Sequence, residues 1–179
     1  MQKIRNKIRI KGNNHTIILE DGATTNIKGS SINIKGNNHT LHIKKNTRIK
    51  NVNIQITGEN CKIIIGNDVI VGYDSYLSSR EVGTTLEIGD GAMLSKSAKV
   101  MTADGHPVYL NGEVINKARS IHIGKKVWIA DNVTILKGVT IGDGSIVGIN
   151  ATLTKSIPNN VVATGNPATV KKEGISWEH

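Results

Sequence analysis

Through the C-terminal half of the chain an aliphatic residue falls at every sixth position. Ile123, Ile129, Ile135, Ile141, Val147 and Leu153 follow one another without a break. Four residues after each stand Val127, Val133, Val139, Ser145, Ala151 and Ile157, which are small or β-branched. A helix at 3.6 residues per turn would scatter this period around its surface and leave no apolar stripe. A flat strand would show period two and no corner. A period of six fits a coil with flat sides and a corner after each side, its aliphatics stacked on their equivalents one coil away. The same frame appears upstream as Ile65-Gly66 with Val69, Val71-Gly72 with Ser75, and Leu77, and again as Ile88-Gly89 with Ala92, Leu94 with Ala98, and Val100. The pattern predicts an all-β chain wound as a parallel β-helix.

Two gaps interrupt the frame. The step from Leu77 to Ile88 predicts a short loop that bulges out near Ser79–Thr85. The step from Val100 to Ile123 predicts that Thr102–Ser120 leaves the coil as a long loop. A solenoid has no structural need for that second excursion, and long loops in compact folds are mostly functional or disordered. The N-terminal region repeats on a longer period. Ile10-Lys-Gly-Asn-Asn-His-Thr-Ile17 recurs as Ile34-Lys-Gly-Asn-Asn-His-Thr-Leu41 and, more weakly, as Ile56-Thr-Gly-Glu-Asn-Cys-Lys-Ile63. Gly and Asn tolerate positive φ, so each copy reads as strand, turn, strand. His15 and His39 therefore fill one structural slot twice rather than form a catalytic pair. Residues 3–11 alternate Lys/Arg on odd positions with Ile4, Ile8 and Ile10 on even ones, which predicts a strand with one buried and one solvated face.

Composition narrows the core. There is no Phe and aromatics total 3%, so the interior must be thin stacked rows of β-branched side chains rather than packed rings. A length of 179 residues fits one domain. We expect a single β-helix domain over 1–179, with basic N-terminal coils at 1–64, hexapeptide coils at 65–170 and a tail at 171–179. Cys61 is the sole cysteine. It reads as a small buried apolar residue, and no disulfide can form within the chain. No apolar run follows the charged N-terminus, and no stretch approaches the ~18 residues of a membrane span. The expectation is a cytoplasmic protein with no integral membrane segment. Net charge is +9, and residues 1–50 hold eleven Lys/Arg against two Asp/Glu, so the whole excess sits at this end. A basic end can hold an acidic polymer or associate peripherally with an anionic membrane, or it can simply keep stacked coils soluble. Nucleic acid is disfavoured, because the basic end lacks aromatic residues for base stacking.

Six histidines are candidates for acid–base work. His42 lies in a Leu-His-Ile strand and His122 between two inward isoleucines, so both face outward. His179 is terminal. His106 alone lies in the extruded loop, flanked by Gly105 and Pro107. Neutral imidazole suits a general base near neutral pH. Asp104, two residues earlier, shares its side in an extended segment and is placed to orient the ring or to cap the turn. Trp128 is one of two Trp residues and occupies an outward slot of the hexad. Either a ligand or a subunit contact would explain it.

The run VWIADNVTILKGVTIGDGSIVGINATLTKSIPNNVVATGNPATV resembles the hexapeptide acyltransferases, which include maltose, galactoside, virginiamycin and serine acetyltransferases. The loop element TADGHPVY, the segment VWIADNVTILKGVTIG and the tail GISWE are closer to the subgroup that O-acetylates bacterial capsular and surface polysaccharides. The resemblance covers about residues 86–178; the first 60 match only in general character. It implies a left-handed parallel β-helix, a hand that periodicity would not have supplied. It also implies acetyl-CoA as co-substrate, no metal, a saccharide acceptor, and a homotrimer with active sites between protomers. In such a site His106 is the base that deprotonates the acceptor hydroxyl, and Trp128 covers the thiol arm of CoA. Ala130 and Gly148 leave room for the arm, and Thr154, Lys155 and Pro167 follow along the groove. Lys171 and Lys172 suit the 3′-phosphate, or are ordinary surface charge. Tyr109 and Asn111 shape the acceptor pocket. The acceptor itself stays open between a polysaccharide, its precursor and a small molecule such as a sugar or antibiotic. Serine is disfavoured because the helical N-terminal domain of serine acetyltransferases is missing here. A non-catalytic polymer-binding β-helix has no use for the loop or Trp128. A zinc carbonic anhydrase on this fold needs three histidines, and only His106 and His122 stand in this region.

Overall fold

The computed structural model describes residues 5–21 and 26–178. Lys3 and Ile4 of the alternating segment, and His179, lie outside them. The chain winds as a three-sided parallel β-helix. Three sheets, the faces of the prism, run along the stack. Face A contains Lys7–Lys11, Ser31–Asn37, Asn53–Glu59, Tyr76–Val82, Lys99–Met101, Thr134–Ile135 and Thr152–Leu153. Face B runs from Thr16–Leu19 to Thr140–Ile141, and face C from Ile27–Lys28 to Val161–Gly165. Each coil visits A, then B, then C.

The hexad rows are the core. Ile123, Ile129, Ile135, Ile141, Val147 and Leu153 are fully buried, as are Val127, Val133 and Ala151 in the second row. In register, Leu86 stacks on Ile121, Leu94 on Ile129, and Val100 on Ile135. Every inward residue thus meets its equivalent one strand spacing away, and a narrow prism suffices to exclude water from all of them. Among the described residues Asn holds nine of the fourteen non-glycine positions with positive φ. That is the reason Asn recurs at the corners: a short polar side chain tolerates the left-handed region that a tight corner imposes.

Coil length changes along the stack. Thr134 pairs with Thr152, eighteen residues on, which is three hexads. Lys7 pairs with Ser31 and Ser31 with Asn53, steps of twenty-four and twenty-two. The extra residues widen the corner between faces A and B. There a polar ladder replaces the aliphatic row, and its side chains reach the carbonyl four residues back. His15 bonds Lys11, His39 bonds Lys35 at 3.0 Å, Cys61 bonds Thr57, and Thr84 bonds Arg80 at 2.8 Å. The two rings stack 5.3 Å apart and nearly parallel. The backbone N–H of Cys61 donates to His39 Nδ1 at 3.1 Å, so the ring proton sits on Nε2, facing Lys35. His15 and His39 are therefore structural, as their repetition suggested.

Two expectations need correction. Ser79–Thr85 is no bulging loop. Tyr76–Val82 is a continuous strand, Ser79 and Thr84 are buried, and Thr84 takes the slot of His39 and Cys61, so this gap is another wide corner. The wide corners accordingly continue past residue 64. Nor does the strand Lys7–Lys11 bury one face. Ile8 and Ile10 align with the core residues Ile32 and Ile34, yet are 56% and 47% exposed.

Candidate active site

Thr102–Ser120 leaves the stack at the corner between faces A and B, just after Lys99–Met101. Its foot is closed by the Arg119 N–H, which donates to the Thr102 carbonyl at 2.9 Å. Its tip is an antiparallel hairpin, Tyr109–Leu110 with Glu113–Val114. Asn111 and Gly112 join the strands, both at positive φ. This two-residue turn with the twist of a type I′ connection accounts for an Asn-Gly pair by itself. Val108, Tyr109, Leu110 and Ile115 are all at least half exposed.

His106 sits at the start of this loop and is exposed. Among the described residues its ring makes no hydrogen bond, whereas its carbonyl is held firmly. Asn116 Nδ2 donates to that carbonyl at 2.8 Å and to Asp104 Oδ2 at 2.9 Å, and Asn116 Oδ1 accepts from the Val108 N–H at 2.7 Å. Lys137, from the next coil, pairs with the Asp104 carboxylate and donates to the Asn116 carbonyl. The Lys137 ammonium holds the Asp104 carboxyl below its usual range, with the Asn116 bond and the Arg119 charge adding to the effect against partial burial. The geometry therefore sets the Asp104 carboxylate on Lys137 and Asn116, not on the His106 ring. Asn116 and Lys137 escaped sequence reading: ten and thirty-one positions from His106, they carry no local signal.

Trp128 lies on the outer side of face C, between Met93 and Ile146. Its indole N–H donates to Ser95 Oγ at 3.3 Å. Gly165-Asn166-Pro167-Ala168 reverses the chain, with a cis peptide at Asn166–Pro167, and Ala168–Glu173 returns antiparallel beside Val161–Gly165. Lys171 and Lys172 are exposed on that returning strand. The tail then brings Trp177 against Trp128, ring centroids 5.8 Å apart, and ties it by an indole N–H bond of 2.8 Å to the Lys126 carbonyl. Trp177 is the partner that sequence reading missed. A groove of about 550 Å³, lined by Gly91, Lys125, Lys126, Gly144 and Asn160 among others, opens at this corner between faces B and C.

Ala130 is half-buried at the corner after Trp128, and Thr154 and Lys155 are exposed. At Gly148 a Cβ would come within 2.5 Å of Thr164, so a structural need already explains that glycine. His106 and Trp128 do not meet within one chain. One hangs from the corner between A and B; the other lies on the opposite face, C. His42 and His122 point outward and pair with Glu20 at 2.7 Å and Glu87 at 3.2 Å. Among the described residues no group of three or more His, Cys, Asp or Glu side chains is gathered as a metal site. No helix among them is long and apolar enough to cross a membrane.

Residues 120–155 match the family model described as bacterial transferase hexapeptide, six repeats. A polysialic acid O-acetyltransferase from Escherichia coli O1:K1 / APEC is 33% identical over 139 residues, covering 76% of this chain and 44% of that protein. The chain thus spans less than half the length of that curated relative. Among solved structures, a polySia-specific acetyltransferase aligns at TM-score 0.78 and 26% identity, over 98% of this chain and 82% of that one. A maltose O-acetyltransferase from Clostridium difficile 630 aligns at 0.55 and 32%, over 69% and 67%. A hexapeptide-repeat acetyltransferase from Vibrio cholerae O1 biovar eltor, complexed with acetyl coenzyme A, aligns at 0.57 and 26%, over 75% and 70%. The fold they share with this chain is the left-handed parallel β-helix.

Proposed function

Because the chain belongs to the bacterial hexapeptide-repeat transferases, we propose that it transfers an acetyl group from acetyl-CoA to a hydroxyl of a saccharide, a bacterial surface polysaccharide or its precursor. The observation that carries this reading is His106: an exposed imidazole with unengaged ring nitrogens on a backbone pinned by Asn116, Asp104 and Lys137. A general base needs that combination of a free ring and a fixed origin.

In the proposed reaction His106 takes the proton from the acceptor hydroxyl as its oxygen attacks the thioester carbonyl. The carbon–oxygen bond forms, the carbon–sulfur bond breaks, and the proton passes from imidazolium to the departing thiolate. Asp104 serves as a positioning residue, acting through Asn116 on the loop rather than on the ring. Trp128, backed by Trp177, covers the thiol arm. Ala130, Gly148, Thr154, Lys155 and Pro167 line its course, and Lys171 and Lys172 meet the 3′-phosphate. Tyr109 and Asn111 border the acceptor. The relative complexed with acetyl coenzyme A supports this donor, and the polysialic acid relatives support a saccharide acceptor.

The separation of His106 and Trp128 onto opposite sides of the prism supports a site built between copies of this chain, in a cyclic trimer with the loop of one facing the Trp128 coil of its neighbour. Subunit mixing tests the whole reading. His106→Ala protein, inactive alone, and Trp128→Ala protein, impaired at limiting acetyl-CoA, should transfer acetyl faster when refolded together than the two do separately at that concentration. No gain, with both variants folded and oligomeric, would refute the shared site. Absence of acetyl-CoA binding at millimolar concentration by the wild type would refute the transferase.

A further inference from the structure

Outward positions on the strand Tyr76–Val82 of face A carry a polar cluster that the core does not require. Arg80 Nη2 donates to Gln55 Oε1 and, at 3.0 Å, to Tyr76 Oη. Tyr76 Oη donates in turn to Gln55 Oε1. Neither Arg80 Nε nor Nη1 makes a hydrogen bond to the chain, and no carboxylate pairs with the guanidinium among the described residues. Among those residues, two buried side-chain polar atoms lack a partner, Arg80 Nε and Ser78 Oγ, and both belong to this strand, two residues apart. A half-buried cation with idle donors is costly unless something outside the chain completes it.

The position is specific. A Cβ on Gly105 would lie 3.7 Å from Arg80 Nη1, so the guanidinium abuts the residue preceding His106. Gln55, Thr57, Arg80, Glu81, Ala103 and Gly105 line a cavity of about 330 Å³ there, a size at the small end for ligand sites. The one carboxylate in its wall, Glu81, accepts the Ala118 N–H at 3.1 Å and is thereby engaged. Arg80 also ends a row. Lys11, Lys35, Thr57 and Arg80 stand in register on successive strands, leading from the basic coils to the His106 loop.

We propose that Arg80, with Gln55 and Tyr76, is an anion subsite that grips a carboxylate of the acceptor sugar, so that the acceptor is an acidic saccharide chain laid along the Lys11–Lys35–Arg80 row. This rests on the transferase reading for its purpose, but the subsite stands or falls on binding alone. Arg supplies a planar fork suited to carboxylate, and Gln55 and Tyr76 hold it in place before the ligand arrives.

The test titrates the full chain with polysialic acid and polygalacturonic acid oligomers, each against its carboxyl-reduced counterpart, and separately with acetyl-CoA. The wild type should favour at least one acidic form over its reduced form by tenfold or more. Arg80→Gln should lose about ten- to hundredfold in affinity for that acid and leave acetyl-CoA affinity unchanged. Arg80→Lys should keep part of the preference. Lys62→Gln, on face B, should not alter it. If Arg80→Gln does not fold, Tyr76→Phe is read instead and should weaken the acid several-fold. An Arg80→Gln protein that binds the acids normally overturns the proposal, as does one that loses acetyl-CoA instead, which would assign Arg80 to the phosphates of CoA. Equal binding of acid and reduced forms by the wild type overturns it too. Acid binding that depends on Arg80 without any acetyl-CoA binding would keep the subsite and sink the transferase.

Discussion

The wide coils at the N-terminal end and the eighteen-residue coils at the other share one core and differ at one corner. In the narrow coils the sides follow the hexad period and the strands are two residues long. In the wide coils the face-A strands reach seven residues, and each A–B corner has a side chain bonding four residues back. Gly12, Gly36 and Gly58 line that corner at φ +111°, +122° and +118°. A Cβ on each would come within 2 Å of a carbonyl oxygen of the next coil. The glycines and the bonding side chains added in the wide coils thus have a structural use. The loop at Thr102–Ser120 arises at the same corner one coil later, where the structural ladder stops. The lesson is that one corner of the prism is where this fold accepts insertions; upstream they are absorbed by packing, and at His106 they are turned outward to solvent.

The largest expected effect separates the two uses. His106→Ala should lower acetyl transfer by about 10²–10⁴-fold without shifting thermal unfolding, since the exposed ring makes no hydrogen bond among the described residues. A comparable fall in melting temperature would mean that the loop is structural after all. Gly36→Ala should do the reverse. It forces a methyl group against the Gly58 carbonyl, 1.8 Å away, and should cost on the order of 4 kcal/mol or more by urea unfolding. Acetyl-CoA binding by the narrow coils should survive, because solenoid coils depend chiefly on their neighbours. Simultaneous loss of both would show that the stack unfolds as one unit.

Trp128→Ala should weaken acetyl-CoA binding about tenfold in calorimetric titration. It should also release Trp177, visible as a red shift of the remaining indole fluorescence; an unchanged spectrum would mean that the tail is held without Trp128. The smallest effect is acid-dependent. Asp104 has its carboxyl lowered by Lys137, so its contribution to loop order is complete above the ordinary aspartate value near 3.9. It declines below that pH and vanishes once pH passes under Asp104's own lower value. Limited proteolysis by pepsin should therefore open Thr102–Ser120 progressively below about pH 4 in the wild type. Asp104→Asn should show no such step.

Much of this was legible in the residues. The period of six located the inward rows from Ile65 onward, and the repeated Gly-Asn-Asn-His turn identified His15 and His39 as one slot. The gap after Val100 located the loop, and with it His106. The gap after Leu77 misled, because a skipped hexad looks the same whether the chain bulges out or Thr84 turns inward to bond Arg80. The exposure of Ile8 and Ile10 was equally invisible, since alternation reports which way a side chain points and not what covers it.

Local rules operate within a few residues, and the order of residues sufficed for what they govern: inward rows set by a fixed period, corners that demand Asn or Gly, and a loop where the period fails. Winding the coils was needed for whatever depends on residues far apart in the chain but adjacent across coils. It joined Lys137 and Asn116 to the foot of the His106 loop, folded Trp177 onto Trp128, and set Arg80 against Gly105. It also placed His106 and Trp128 on opposite sides of the prism. Winding a strand register brings side chains sixteen to thirty-five positions apart to within one strand spacing, and no periodicity along the chain reports which of them will touch.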